Sequence, residues 1–138
     1  MDGELKPITE PGKRFVALAE EHAADFATRA SDHDLAGSFP HENIKALQQS
    51  GFMAAPVPEE LGGMGVTSSH DFATGMSRLA RGDASTAIAS NMHIVAARVM
   101  ASLWRNRATA DPAMSGPVEA FMKAIVAGQL IEIGRAHV

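Results

Sequence analysis

Residues Ala84 to Arg105 read ASTAIASNMHIVAARVMASLWR, with neither glycine nor proline. Apolar side chains fall on nearly every side of a helical projection: Ala84, Ala87, Ile88, Ala89, Met92, Ile94, Val95, Ala96, Ala97, Val99, Met100 and Leu103. A helix that is apolar all round is expected in the middle of a structure, covered from several directions. Gly82 and Asp83 stop whatever precedes it, and Asp83 is placed to cap its first turn. Asn91, His93 and Arg98 are its large polar groups between Asp83 and Arg105. A buried polar group without a partner costs about 1–3 kcal/mol, so each needs a hydrogen bond or a cavity. Ala87, Asn91 and Arg98 follow i, i+4, i+11 spacing and share a face, whereas His93 lies roughly 160° from Asn91 at 3.6 residues per turn. The face of Ala87 and Asn91 either meets partners inside the fold or lines a ligand cavity.

Outward from this helix the pattern stays helical. Phe15, Leu18, Ala19, His22, Phe26 and Ala30 recur at helical spacing and predict a helix from about Pro11 to Ser31, then a loop from Asp32 to Phe39. Ser38 is an expected N-cap for a helix over His41 to Ser50, which buries Ile44 and Leu47 and ends at Gly51. Phe52 to Gly65 is irregular, with two prolines and three glycines. Phe72, Met76 and Leu79 mark a helix over Thr67 to Arg81. Asn106 to Ser115 reads as a loop, and Pro117 to Ala127 as a last helix with Phe121, Ile125 and Val126. The expected fold is all-α, a bundle of about five helices around one central helix.

The composition narrows function by exclusion. With 138 residues, 46% hydrophobic and 20% charged, the chain is one domain able to bury a core. A net charge of -4 argues against nucleic acid or an anionic membrane as partner. The absence of cysteine removes disulfides, thiol nucleophiles and cysteine-based zinc sites. MDGELKPITE lacks a basic stretch followed by an apolar core, and no run approaches the ~20 apolar residues of a membrane span, so a cytoplasmic protein is expected. His22, His33, His41, His70 and His93 form no ligand pair at metal-binding spacing. Gly62-Gly63-Met64-Gly65 follows no strand and lacks a Gly-Lys-Ser/Thr, so it reads as a tight turn, not a phosphate loop. Arg81-Gly82-Asp83 reads as a helix-to-helix corner, not an adhesion motif.

Three stretches together carry a resemblance: FPHENIKALQQSGF, PVPEELGGMG and MSRLARGDASTAIASNMH, from Phe39 to His93. In this order they resemble the N-terminal helical domain of the acyl-CoA dehydrogenase family, and the similarity runs over most of Arg14 to Leu130. The resemblance implies a larger subunit in which a β-domain and a second helical bundle follow. It implies FAD held by those later parts, a catalytic glutamate lying outside this chain, an acyl-CoA substrate, and a homo-oligomer, tetramer or dimer. It places Ala87 and Asn91 at the deep end of the acyl pocket, and makes His93 a third candidate for the substrate wall because related flavin monooxygenases carry a His in this neighbourhood. On this reading the whole protein is an enzyme, and this stretch alone is not a working one. Two other readings stay open: a monooxygenase of the same fold using reduced FMN or FAD, and a non-catalytic helical interaction domain.

The end of the chain, QLIEIGRAHV, departs from that pattern at about Ile131. Ile133 to Val138 followed by a stop is the translation of ATCGGAAGAGCACACGTCTGA, the run of a common short-read sequencing adapter, and the adapter's first two bases complete a codon for Glu132. The expected division is therefore an acyl-CoA dehydrogenase-like N-terminal helical domain over residues 1–131 and a non-native tail over residues 132–138, with the β-domain and C-terminal helical domain missing.

Overall fold

The computed structural model describes residues 3–109 and 111–129, so the proposed tail lies outside the described residues. Within them the chain is all-helical: α1 Glu10–Ala27, α2 Ala30–Ala36, α3 His41–Gln49, α4 Ser69–Gly82, α5 Ala84–Arg105 and α6 Pro112–Val126. Single 3₁₀ turns at Phe52–Ala54 and Glu59–Leu61 punctuate the segment between α3 and α4.

The sixth helix comes from splitting what the sequence pattern joined. At Thr28 the side-chain hydroxyl donates to the Asp25 carbonyl, 2.6 Å away, and competes with the backbone ladder. The chain bends there and restarts at Ala30, so most of the expected Asp32–Phe39 loop is α2, closed by Gly37 at φ 61°. Ser38 is not the cap of α3: its hydroxyl meets His33 Nδ1 at 2.7 Å, and Pro40 occupies the N-cap position without a side-chain bond. The last helix also starts earlier than Pro117. Pro112 takes the first-turn place, Asp111 caps it by accepting from the Ala113 amide at 3.0 Å, and Pro117 lies inside.

Packing is organised by α1 and α4. Gly12 meets Asp71, Phe15 meets Gly75 and Ala23 meets Gly82, so the two helices run in the same direction. Glycine is required at the last two contacts by distance alone: a Cβ would stand 2.2 Å from the Phe15 ring at Gly75, and 2.1 Å from the Ala23 carbonyl oxygen at Gly82. Phe15 then fills the centre, stacked on Phe52 with ring centroids 4.7 Å apart and edge-on to Phe72 at 5.2 Å. A second apolar cluster gathers Val57, Ala97, Ala101, Trp104, Val118, Met122 and Ile125, and fastens α6 to α5.

Helix α5 is central, touching α3, α4, α6 and the first 3₁₀ turn. Its entry is built as the sequence suggests, with the Asp83 carboxylate accepting from the Ser85 amide and the Thr86 hydroxyl at 3.1 and 2.7 Å. Buried Asn43 of α3 donates to both Asp83 and Thr86, locking α3 to this corner. Among the described residues no helix is long and apolar enough to cross a membrane, and no group of three or more His, Cys, Asp or Glu side chains is placed to hold a metal ion.

Candidate functional site

Half of α5 is covered and half is not. Thr86, Ala87, Ser90, His93, Ile94, Ala97, Ala101 and Trp104 face inward. Ile88, Met92, Val95, Val99 and Leu103, at i, i+4, i+7, i+11 and i+15, face outward, from 74% exposed at Ile88 to 38% at Leu103. The helix is therefore not covered on every side within the described residues, as its composition suggested. A continuous stripe of large apolar side chains marks a surface made to be covered.

The three residues singled out from the sequence separate on this helix. Asn91 stands exposed on the open face, beside Ile88 and Met92 in the helical projection. Ala87 sits at the edge of that face but is already buried, 6% exposed. His93 points the other way: it is fully buried, with Nε2 2.7 Å from the Met53 carbonyl oxygen. It ties α5 to the first 3₁₀ turn and faces away from the open stripe. The 160° separation from Asn91 already pointed this way.

Arg98 shares the face of Asn91 and is held in place by the structure. It lines an open groove of about 290 Å³ between α5 and the start of α4, with Val95, Val99 and Ser102 of α5 and Thr67 and Phe72 opposite. Its guanidinium lies over the Phe72 ring, 4.7 Å from the centroid, and donates to the Ser69 hydroxyl at 2.5 Å. The sequence showed Arg98 on the face of Asn91; the partners that hold it come from α4 and have no sequence signal.

The remaining motifs are structural. Gly62, Gly63, Met64 and Gly65 give their amides to carbonyls of Glu59, Pro58, Ala54 and Val57, so the turn aims none of these donors at a ligand. His22 meets the Ser50 hydroxyl and His70 the Lys6 carbonyl, each at 2.7 Å, while His33 contacts Glu42 and Ser38, and His41 packs on Phe39. Arg81 reaches Glu4, and Asp83 caps α5, as expected of a corner.

Residues 9–106 match the pattern described as "Acyl-CoA dehydrogenase, N-terminal domain". The chain belongs to this family. A relative in a Micromonospora species, L-evernosamine nitrososynthase, is 32% identical over 93% of this chain and 30% of its own length. The putative acyl-CoA dehydrogenase YdbM of Bacillus subtilis is 39% identical over 52% of this chain and 19% of its own. The fold also matches KijD3, solved in complex with FMN and dTDP-3-amino-2,3,6-trideoxy-4-keto-3-methyl-D-glucose. The TM-score is 0.83 and the identity 33%, over 91% of this chain and 30% of that one. The chain thus spans about a third of the length of L-evernosamine nitrososynthase and of KijD3.

Proposed function

We propose that this chain is the N-terminal helical part of a flavin-dependent oxidoreductase that oxidises the amino nitrogen of a nucleotide-linked sugar, and that the open face of α5 is one wall of its active-site cleft. The observation that carries this choice of chemistry is the breadth of likeness. A nitrososynthase matches 93% of the chain, including α6, while the acyl-CoA dehydrogenase relative matches 52%. Acyl-CoA dehydrogenation remains the second reading, favoured by the family itself and by the apolar stripe, which would also suit an acyl chain.

The residues present fit a wall and not a complete flavin site. The grooves beside α4, α5 and the loops, of about 250 to 470 Å³, are open to solvent, and none encloses a three-ring system. Residues outside this chain would hold the flavin, FMN or FAD. When reduced, it supplies two electrons, with which one atom of dioxygen enters the amine as a hydroxylamine oxygen and the other leaves as water. A second dioxygen and a second reduced flavin would take the hydroxylamine to the nitroso level, with two further waters leaving. What this chain contributes is exclusion of water by Ile88, Met92, Val95 and Val99, and an amide at Asn91 that can both donate and accept a hydrogen bond. A cytoplasmic homo-oligomer is part of the same proposal.

The test uses the full-length protein with reduced FMN supplied by a flavin reductase. Oxygen uptake that depends on a dTDP-3-amino sugar, with a product heavier by oxygen, is the expected result. Acyl-CoA-dependent reduction of an artificial electron acceptor, with no oxygen uptake on the amino sugar, would replace this reading by the second one.

A further inference from the structure

We propose that the groove between the C-terminal half of α5 and the start of α4 binds the diphosphate of a nucleotide, with Arg98 and Arg105 as its cationic clamp. The assignment of that diphosphate to the substrate rests on the reading above; the anion site itself does not.

The charge bookkeeping of the arginines singles out this groove. Among the described residues, Arg14, Arg29, Arg78 and Arg81 pair with carboxylates. Arg107 lies on the Trp104 ring, 3.7 Å from its centroid, and donates to the Trp104 carbonyl. Among the described residues Arg98 and Arg105 have no carboxylate within ion-pair distance, and both line the same groove, whose described wall contains no acidic residue. Glu59 and Glu60 share the adjoining hollow with Arg105, but Glu59 is engaged by Arg14 at 3.2 Å.

Geometry adds to charge. Seven residues separate Arg98 from Arg105, two helical turns or roughly 10 Å along one face, so the two guanidinium groups can reach one ligand from both ends. Arg98 is already positioned by Phe72 and Ser69, which lowers the ordering cost of binding. Thr67 and Ser102 add hydroxyl-bearing side chains to the same lining. The positive end of α4 opens on the same place, and its N-cap Ser68 is used on the Asp71 amide. A planar guanidinium offers paired donors that suit phosphate oxygens, and Val66, Phe72 and Val99 give a ribose or base an apolar floor. At about 290 Å³ the groove fits a diphosphate and part of a nucleoside, not a whole cofactor.

The same chemistry could come from a nucleotide sugar, from a flavin phosphate or from coenzyme A, and calorimetric titration of the 138-residue chain at low salt separates them. The probes are inorganic pyrophosphate, dTDP, FMN and coenzyme A, with far-UV circular dichroism confirming that each variant is folded. Pyrophosphate and dTDP are expected to bind, dTDP more tightly than FMN or coenzyme A, with affinity falling as salt rises. The double variant Arg98→Gln/Arg105→Gln should weaken both by roughly tenfold or more, while Lys123→Gln, at an exposed position of α6, should not. A folded wild-type chain that binds no pyrophosphate, or a double variant that binds it equally well, overturns the site. Tightest binding of FMN or coenzyme A keeps the anion site and overturns its assignment to the sugar nucleotide. Failure of amine oxidation in the full-length protein would sink the functional reading without touching the calorimetry.

Discussion

Replacing Asp71 by alanine is expected to lower the unfolding free energy by about 3 kcal/mol, the order of several hydrogen bonds to one buried charge. Asp71 is fully buried on α4, and its two carboxylate oxygens accept from the Ile8 amide at 2.8 Å, the Thr9 amide at 3.1 Å and the Thr9 hydroxyl at 2.5 Å. Thr9 in turn caps α1 by accepting from the Gly12 amide, so one carboxylate fixes the entry of α1 against the first turn of α4. Without it the leader from Glu4 to Ile8 still meets Arg78, Arg81 and His70. Burial pushes the Asp71 pKa up, but the Thr9 hydroxyl and the Ile8 and Thr9 amides together hold it below its ordinary value of 3.8. Because the folded pKa is the lower one, the stabilisation is complete above the unfolded value and is lost as pH falls through the folded value. Denaturant unfolding at neutral pH and in strongly acid solution checks this. The gap between wild type and Asp71→Ala should be widest at neutral pH and close in acid. Equal stability at neutral pH would show that the carboxylate does not hold α1 to α4.

Met92→Glu is expected to split its effects between the isolated chain and the full-length protein. Met92 is 59% exposed on the open face of α5, so in the chain alone the change costs within about 0.5 kcal/mol and improves solubility. If the stripe is the proposed cleft wall, the same position in the full-length protein faces covering domains and a water-free cleft, and an unpaired carboxylate there costs several kcal/mol. A loss of roughly a hundredfold or more in kcat/KM, or failure to retain flavin, is the expected reading, with Met92→Leu close to wild type. Full activity of Met92→Glu would mean that the stripe is not a wall of the cleft.

Local signals were legible where one residue decides a turn. Gly51, at φ 85°, ends α3, and Asp83 caps α5, both as their chemistry requires. The all-helical class followed from the spacing of Phe72, Met76 and Leu79 and from the unbroken Ala84–Arg105 run. The bend at Thr28 was hidden because the pattern of α1 runs on into Ala30, and a single hydroxyl-to-carbonyl bond decided against continuity. The site was harder. An all-round apolar helix carries no mark of which half meets its own domain and which meets another. The spacing put Asn91 and Arg98 on one face, but it did not show that this face carries the open Ile88–Leu103 stripe. His93 looked like a site residue by type; its angle on the helix put it inside, against the Met53 carbonyl. The support of Arg98 comes from Ser69 and Phe72, contacts made only once α4 folds back on α5.

That this chain is the first part of a longer flavoprotein is tested most directly by sequencing the source DNA across the codons for Gly128 to Val138 and several hundred bases beyond. A reading frame that runs on past Leu130 into a β-domain and a second helical bundle is the expected result, with Glu132 to Val138 replaced by genomic sequence. Genomic DNA that encodes Ile133 to Val138 and then a stop would contradict it, and would leave a free-standing helical domain whose α5 face must be covered by a separate partner.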